Sequence, residues 1–166
     1  MSALLLWLFT ASAFAAPHCA ATPDPDAPLR IVTTEQIPAL IEAQRGCVVL
    51  LEVYASWCGT CTRTAPAVSA MIDRLRVYGL QTVGVSVDTS AESLQAWRAV
   101  RGREYAPVRV DGWTLPGLTE MFKRQGVAFH EAIPLFVLYD RDGRAVLDLT
   151  EPADLSALEA QIRALL

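Results

Sequence analysis

The feature that most constrains the fold is a pair of thiols, Cys58 and Cys61, at the point where an apolar strand gives way to a helix. Residues 48–51, with Val53 and Tyr54, are β-branched, aliphatic or aromatic, the composition of a strand covered on both faces. Val68, Met71, Ile72, Leu75 and Val77 then fall mostly on one stripe of a following helix. A thiol at the first turn of such a helix faces unpaired backbone N–H groups and the positive end of the helix dipole. Its thiolate is favoured and its pKa lowered. Cys58 is therefore the candidate nucleophile, and Cys61, one turn on, is placed to attack a mixed disulfide that Cys58 forms.

Trp57-Cys58-Gly59-Thr60-Cys61, preceded by Tyr54-Ala55-Ser56 and followed five residues later by Pro66, resembles the active site of the thioredoxin superfamily. The resemblance implies a thiol-disulfide oxidoreductase in which the two sulfurs carry the electrons and no metal or organic cofactor is needed. It also implies a buried acid behind the pair that relays protons, and Glu52 stands six residues before Cys58. Desolvation there would raise the carboxyl pKa and suit exchange with Cys61. Pro66 matches a proline that kinks the active-site helix. Ile133-Pro134, at the head of a strand over 135–139, is the counterpart of a cis-proline that faces the disulfide. Trp57, Gly59, Thr60 and Ile133 would contact substrate, and Thr60 departs from thioredoxin, which has proline there. On the residues alone, Glu52 could also face water from an edge strand, and Pro134 could be an ordinary trans proline.

A zinc reading of the CxxC wants four ligands, and Cys19, Cys47, His18 and His130 show no second CxxC or HxxxH spacing. No metal site is expected. The net charge of −4 and the absence of a basic run argue against nucleic acid as a partner. The 166 residues, 52% apolar, suit one domain with a sizeable core.

Residues 3–16 form an apolar run ending in Ala13-Phe14-Ala15-Ala16, which reads as the h-region and cleavage site of a secretory signal. The run is shorter than the roughly 20 residues that span a bilayer. It lacks a preceding Lys or Arg, and an uncleaved anchor or a lipid attached at Cys19 are the alternatives. The expected organisation is a signal peptide or N-terminal anchor over 1–16, a linker over 17–28 with Pro23, Pro25 and Pro28, and a thioredoxin-like domain over 29–166. A periplasmic or otherwise extracytoplasmic location follows. In such an oxidising compartment Cys19 and Cys47 form a candidate structural disulfide, the alternative being one buried thiol and one loose one. Cys47 begins the central strand, about 23 Å from the CxxC end, out of reach of its chemistry.

The remaining pattern predicts strands at 30–32, 81–88, 108–110, 135–139 and 144–149. It predicts helices from Thr33 or Thr34 to Arg45, from Thr89 or Ser90 to Arg101, over 115–125 and over 152–165. The α/β order resembles a thioredoxin fold, a central mixed sheet flanked by helices, with an extra strand and helix inserted before the cis-proline. Such an insertion is similar to the TlpA/ResA/DsbE group of extracytoplasmic reductants, which act on protein disulfides including those of apocytochrome c. In that group a Gly-Val-x-Gly-x-Pro segment usually precedes the proline; here Gly126-Val127 is followed by Ala128-Phe129-His130-Glu131-Ala132-Ile133, two residues longer and without the second glycine. Leu51-Glu52-Val53-Tyr54-Ala55 also resembles the C-terminal domain of DsbD. Asp88, at a strand end, reads as a loop-entry acid more readily than as a functional one, and His130 as a surface loop residue near the rim. The expected activity is reduction of protein disulfides, with a membrane or soluble thiol reductant recycling the pair. The alternatives are an electron relay, a disulfide oxidant, and a copper- or haem-handling chaperone using Cys58, Cys61 and His130.

Overall fold

The computed structural model describes residue 19 and residues 28–101, 106–111, 115–150 and 154–166. Six strands form one mixed sheet: β1 (Arg30–Val32), β2 (Val49–Tyr54), β3 (Gln81–Ser86), β4 (Ala106–Val110), β5 (Leu135–Tyr139) and β6 (Ala145–Thr150). Five helices connect or flank them: α1 (Ile37–Glu42), α2 (Gly59–Arg76), α3 (Ala91–Arg101), α4 (Leu115–Arg124) and α5 (Ser156–Leu165). The spatial order is β1-β4-β3-β2-β5-β6, parallel from β1 to β2 and antiparallel from β2 to β6. This is a thioredoxin fold in which β4 sits between β1 and β3.

Period-two alternation on β2 divides the core between the two faces. Val49, Leu51 and Val53 pack with Ile37 and Ile41 of α1 and with Leu118 and Phe122 of α4. Val48 and Leu50 pack with Val68, Met71, Ile72 and Leu75 of α2 and with Leu158 and Ile162 of α5. Every residue of β2 is buried, which explains why its sequence is a continuous apolar run broken only by Glu52. The same alternation puts Glu52 on the face of Leu50, under α2.

Several expected boundaries shift. The first helix shrinks to a 3-10 turn over Thr34–Gln36 followed by α1, with turns from 43 to 46. Only Ile37 and Ile41 of α1 are buried, and Arg45 instead reaches across to the Asp142 carbonyl. Val77 lies past the end of α2 and is exposed; Leu80 takes the buried place the stripe offered. β3 stops at Ser86, before Asp88. The last helix begins at Ser156, where the Asp154 carboxylate accepts the Ser156 N–H. The predicted leader over 1–16, and all of the linker but residues 19 and 28, lie outside the described residues. No helix among the described residues is long and apolar enough to cross a membrane.

At the end of the sheet where β2 begins, Cys47 is disulfide-bonded to Cys19. Gly79, at φ +101°, turns the chain there, and a Cβ on it would lie 3.2 Å from Cys19 Cβ. The Gln81 side-chain amide donates to the Cys19 carbonyl.

Candidate active site

β2 runs out at Tyr54, whose carbonyl still accepts the Val87 N–H, and the chain then turns tightly. The Cys58 N–H donates to the Ala55 carbonyl at 3.2 Å, and Cys58 becomes the N-cap of α2. The Cys61 N–H points at Cys58 Sγ, 3.0 Å away, so a free donor of the first turn is spent on that sulfur. No acidic residue lies in that turn to compete for the helix's positive end. Cys58 and Cys61 are joined, with Cα atoms 5.2 Å apart. Cys58 is 7% exposed and Cys61 1%, so an incoming group meets Cys58 first.

The Ile133–Pro134 peptide bond is cis, and the Ile133 carbonyl oxygen lies 3.6 Å from Cys58 Sγ. Pro134 is buried, while Ile133 is partly open. The strand that follows is anchored by Tyr139, whose hydroxyl donates to the Gln125 side chain at 2.6 Å; burial pushes that hydroxyl's pKa well above the usual range. Trp57 is 58% exposed beside Cys58, with Gly59 exposed and Thr60 half-buried along the same rim. Glu52 is buried, paired in register with Gly84 on β3 and Phe136 on β5. Pro66 lies inside α2.

Sequence reasoning underweighted or missed three residues here. Asp88 is 1% exposed and turned toward the CxxC loop rather than toward water. Its carboxylate accepts the Ser56 N–H at 2.9 Å and the Ser56 hydroxyl at 2.5 Å. β3 ends at Ser86, two residues before it, and periodicity does not show that. Arg63 donates to Thr60 Oγ1 at 2.9 Å, folding its guanidinium over the dipeptide between the cysteines. Glu131 adopts φ +58°, the left-handed conformation that glycine usually takes, in the loop that lacks the second glycine. His130 is exposed on that loop. Among the described residues no three of His, Cys, Asp or Glu converge in a way that could hold a metal ion, so His130 does not complete a set with Cys58 and Cys61.

A family model described as the AhpC/TSA family matches residues 20–146. Among solved structures the chain is similar to a Chlorobium tepidum protein provisionally assigned as thiol:disulfide interchange protein DsbE. That pair shares 31% identity at a TM-score of 0.60, over 75% of this chain and 83% of that one. A secreted Mycobacterium tuberculosis disulfide oxidoreductase homologous to E. coli DsbE shares the fold at 19% identity and TM-score 0.56, over 75% and 86% of the two chains. StoA of Bacillus subtilis shares it at 17% identity and TM-score 0.53, over 70% and 82%. No match is found among curated proteins.

Proposed function

The chain belongs to the AhpC/TSA family and is a thiol-disulfide oxidoreductase of the DsbE and thioredoxin type, and from that premise we propose that it reduces protein disulfides outside the cytoplasm. The observation that carries this reading is the asymmetry of the pair: an accessible sulfur at the N-cap of α2, an enclosed one behind it, and the cis Ile133–Pro134 bond alongside.

In this mechanism an extended substrate segment lies against Ile133 and Pro134, with Trp57, Gly59 and Thr60 forming the opposite wall. The Cys58 thiolate attacks one sulfur of the substrate disulfide; that S–S bond breaks and the other substrate sulfur leaves as a thiolate. Cys61 gives up its proton to Glu52 and attacks Cys58 Sγ, releasing the second substrate thiol and leaving the disulfide seen here. Two electrons have moved to the substrate, so a thiol reductant must return the pair to its reduced form. Residues 1–16 act as the signal or anchor that delivers the 29–166 domain to that compartment, and apocytochrome c is a candidate among its substrates. The exposed Trp57 and the partly open Ile133 suit an unfolded or extended chain of that kind.

The test is the equilibrium of Cys58 and Cys61 with glutathione, with Cys58→Ser as the control. The expected midpoint lies near that of thioredoxin, about −270 mV. A midpoint near that of DsbA, about −120 mV, overturns the reductant reading and makes the protein an oxidant.

A further inference from the structure

Asp88 takes no part in the thiol exchange just described, yet it is among the most deeply buried charged residues outside that machinery. It stands just beyond β3, and its side chain ties the β3 exit to the β2 exit. Oδ2 accepts the Ser56 N–H at 2.9 Å and the Ser86 hydroxyl at 2.7 Å, and Oδ1 accepts the Ser56 hydroxyl at 2.5 Å. Its own N–H donates to Ser86 Oγ at 3.0 Å, and its carbonyl accepts from Arg109 at 3.3 Å. The carboxylate thus receives three neutral donors, and two of the three belong to one residue. That residue, Ser56, is two positions before Cys58, inside the turn closed by the Cys58 N–H and the Ala55 carbonyl.

We propose that Asp88 is a positioning residue for the disulfide chemistry, its buried carboxylate clamping Ser56 so that Cys58 Sγ is held against the first N–H groups of α2. A turn of four residues has few ways to place a side chain, and fixing both the N–H and the hydroxyl of Ser56 removes the remaining freedom. Preorganised donors stabilise a developing anion only while they stay aimed at it. The elements packed around the pair also carry Arg63 of α2, Glu52 of β2, and His130 and Glu131 of the loop before Pro134.

The inference rests on Cys58 being the reacting thiol, and the experiment separates the two. The full chain is reduced, and its rate of reaction with a small aromatic disulfide is followed against pH, with Cys58→Ser defining the background. A wild-type rate no higher than that background removes the nucleophile reading itself. With wild type reactive, Ser56→Ala and Asp88→Asn are each expected to slow the reaction at neutral pH by about tenfold and to move the profile toward higher pH, a tenfold loss of thiolate being one pH unit. Ser56→Thr, which keeps the hydroxyl, restores most of the rate. Variants that melt at lower temperature but keep the wild-type profile overturn the proposal and leave Asp88 as a brace for the fold. A profile moved toward lower pH also overturns it, because the carboxylate then acts by its charge. Should Asp88→Asn fail to fold, Ser56→Ala and Ser56→Thr decide the matter alone.

Discussion

At one end of the sheet Cys58 and Cys61 are bridged across a separation of 3 residues; at the other, Cys19 and Cys47 are bridged across 28. In the chain-entropy account of cross-links, the short loop restrains the unfolded chain by about 1.9 kcal/mol and the long one by about 3.6 kcal/mol. In the proposed mechanism the bridge that opens in every cycle is the one whose opening costs the fold less. Its sulfur also keeps a partner after opening, since the Cys61 N–H already points at Cys58 Sγ. Cys47 is 4% exposed and far along β2 from that chemistry, with Gly79 and Gln81 packed around its partner. In that mechanism the same bond type serves as a working part at one pole and as a fastening at the other.

The largest effect expected from this contrast is loss of disulfide reduction in Cys58→Ser, read in an insulin reduction assay, while the Cys19→Ser/Cys47→Ala double variant retains turnover. Reduction that survives Cys58→Ser would break the comparison. Next in size, the double variant should lose about 3 kcal/mol of unfolding free energy in urea titrations, most of the long-loop restraint. At the same pole, Gly79→Ala forces a side chain into φ +101° and to within 3.2 Å of Cys19 Cβ, for an expected loss of about 1–2 kcal/mol with activity preserved. At the working pole the opposite sign is expected. Glu131→Gly relieves the φ +58° conformation and should raise stability by up to about 1 kcal/mol in the same titration, after the entropy that glycine adds to the unfolded chain.

The smallest effect belongs to a helix contact at neither pole. Arg74 of α2 and Arg163 of α5 both hydrogen-bond Glu159, and they hold its carboxyl below its usual value of 4.5. The folded pKa is depressed, so the contribution is complete above 4.5 and is lost as pH falls through the folded value. Partial exposure and salt limit it, and Glu159→Gln should cost less than about 1 kcal/mol at neutral pH and nothing at pH values below both pKa values. Urea titrations at the two pH values check it.

The strands were the most legible part of the chain because residues buried on both faces leave little choice but Val, Leu and Ile, as 49–54 shows. The strand and helix inserted before Pro134 were also readable, from the apolar pair Val108 and Val110 and the face of Leu118, Met121 and Phe122. What resisted reading was set by contacts between distant segments. The first helix ends early because Gly46 and Arg45 bond to Arg141 and Asp142, far along the chain. Asp88 looked like a surface acid because nothing local reveals that Ser56, 32 residues earlier, would supply two donors. At Glu131 the backbone takes a glycine-like angle without glycine, so composition does not mark the turn.

The placement of β4 between β1 and β3 also dictates an order of assembly. β1 is an edge strand, and its ladder partner is β4, with Arg30 opposite Val108 and Val32 opposite Val110. β1 has nowhere to dock until β2, β3 and β4, which all follow it in the chain, have aligned, and closing so long a segment slows the step. During that wait β1 presents unpaired backbone and the exposed Ile31 to other chains, so a brief vulnerability to aggregation is built into the same insertion that widens the sheet.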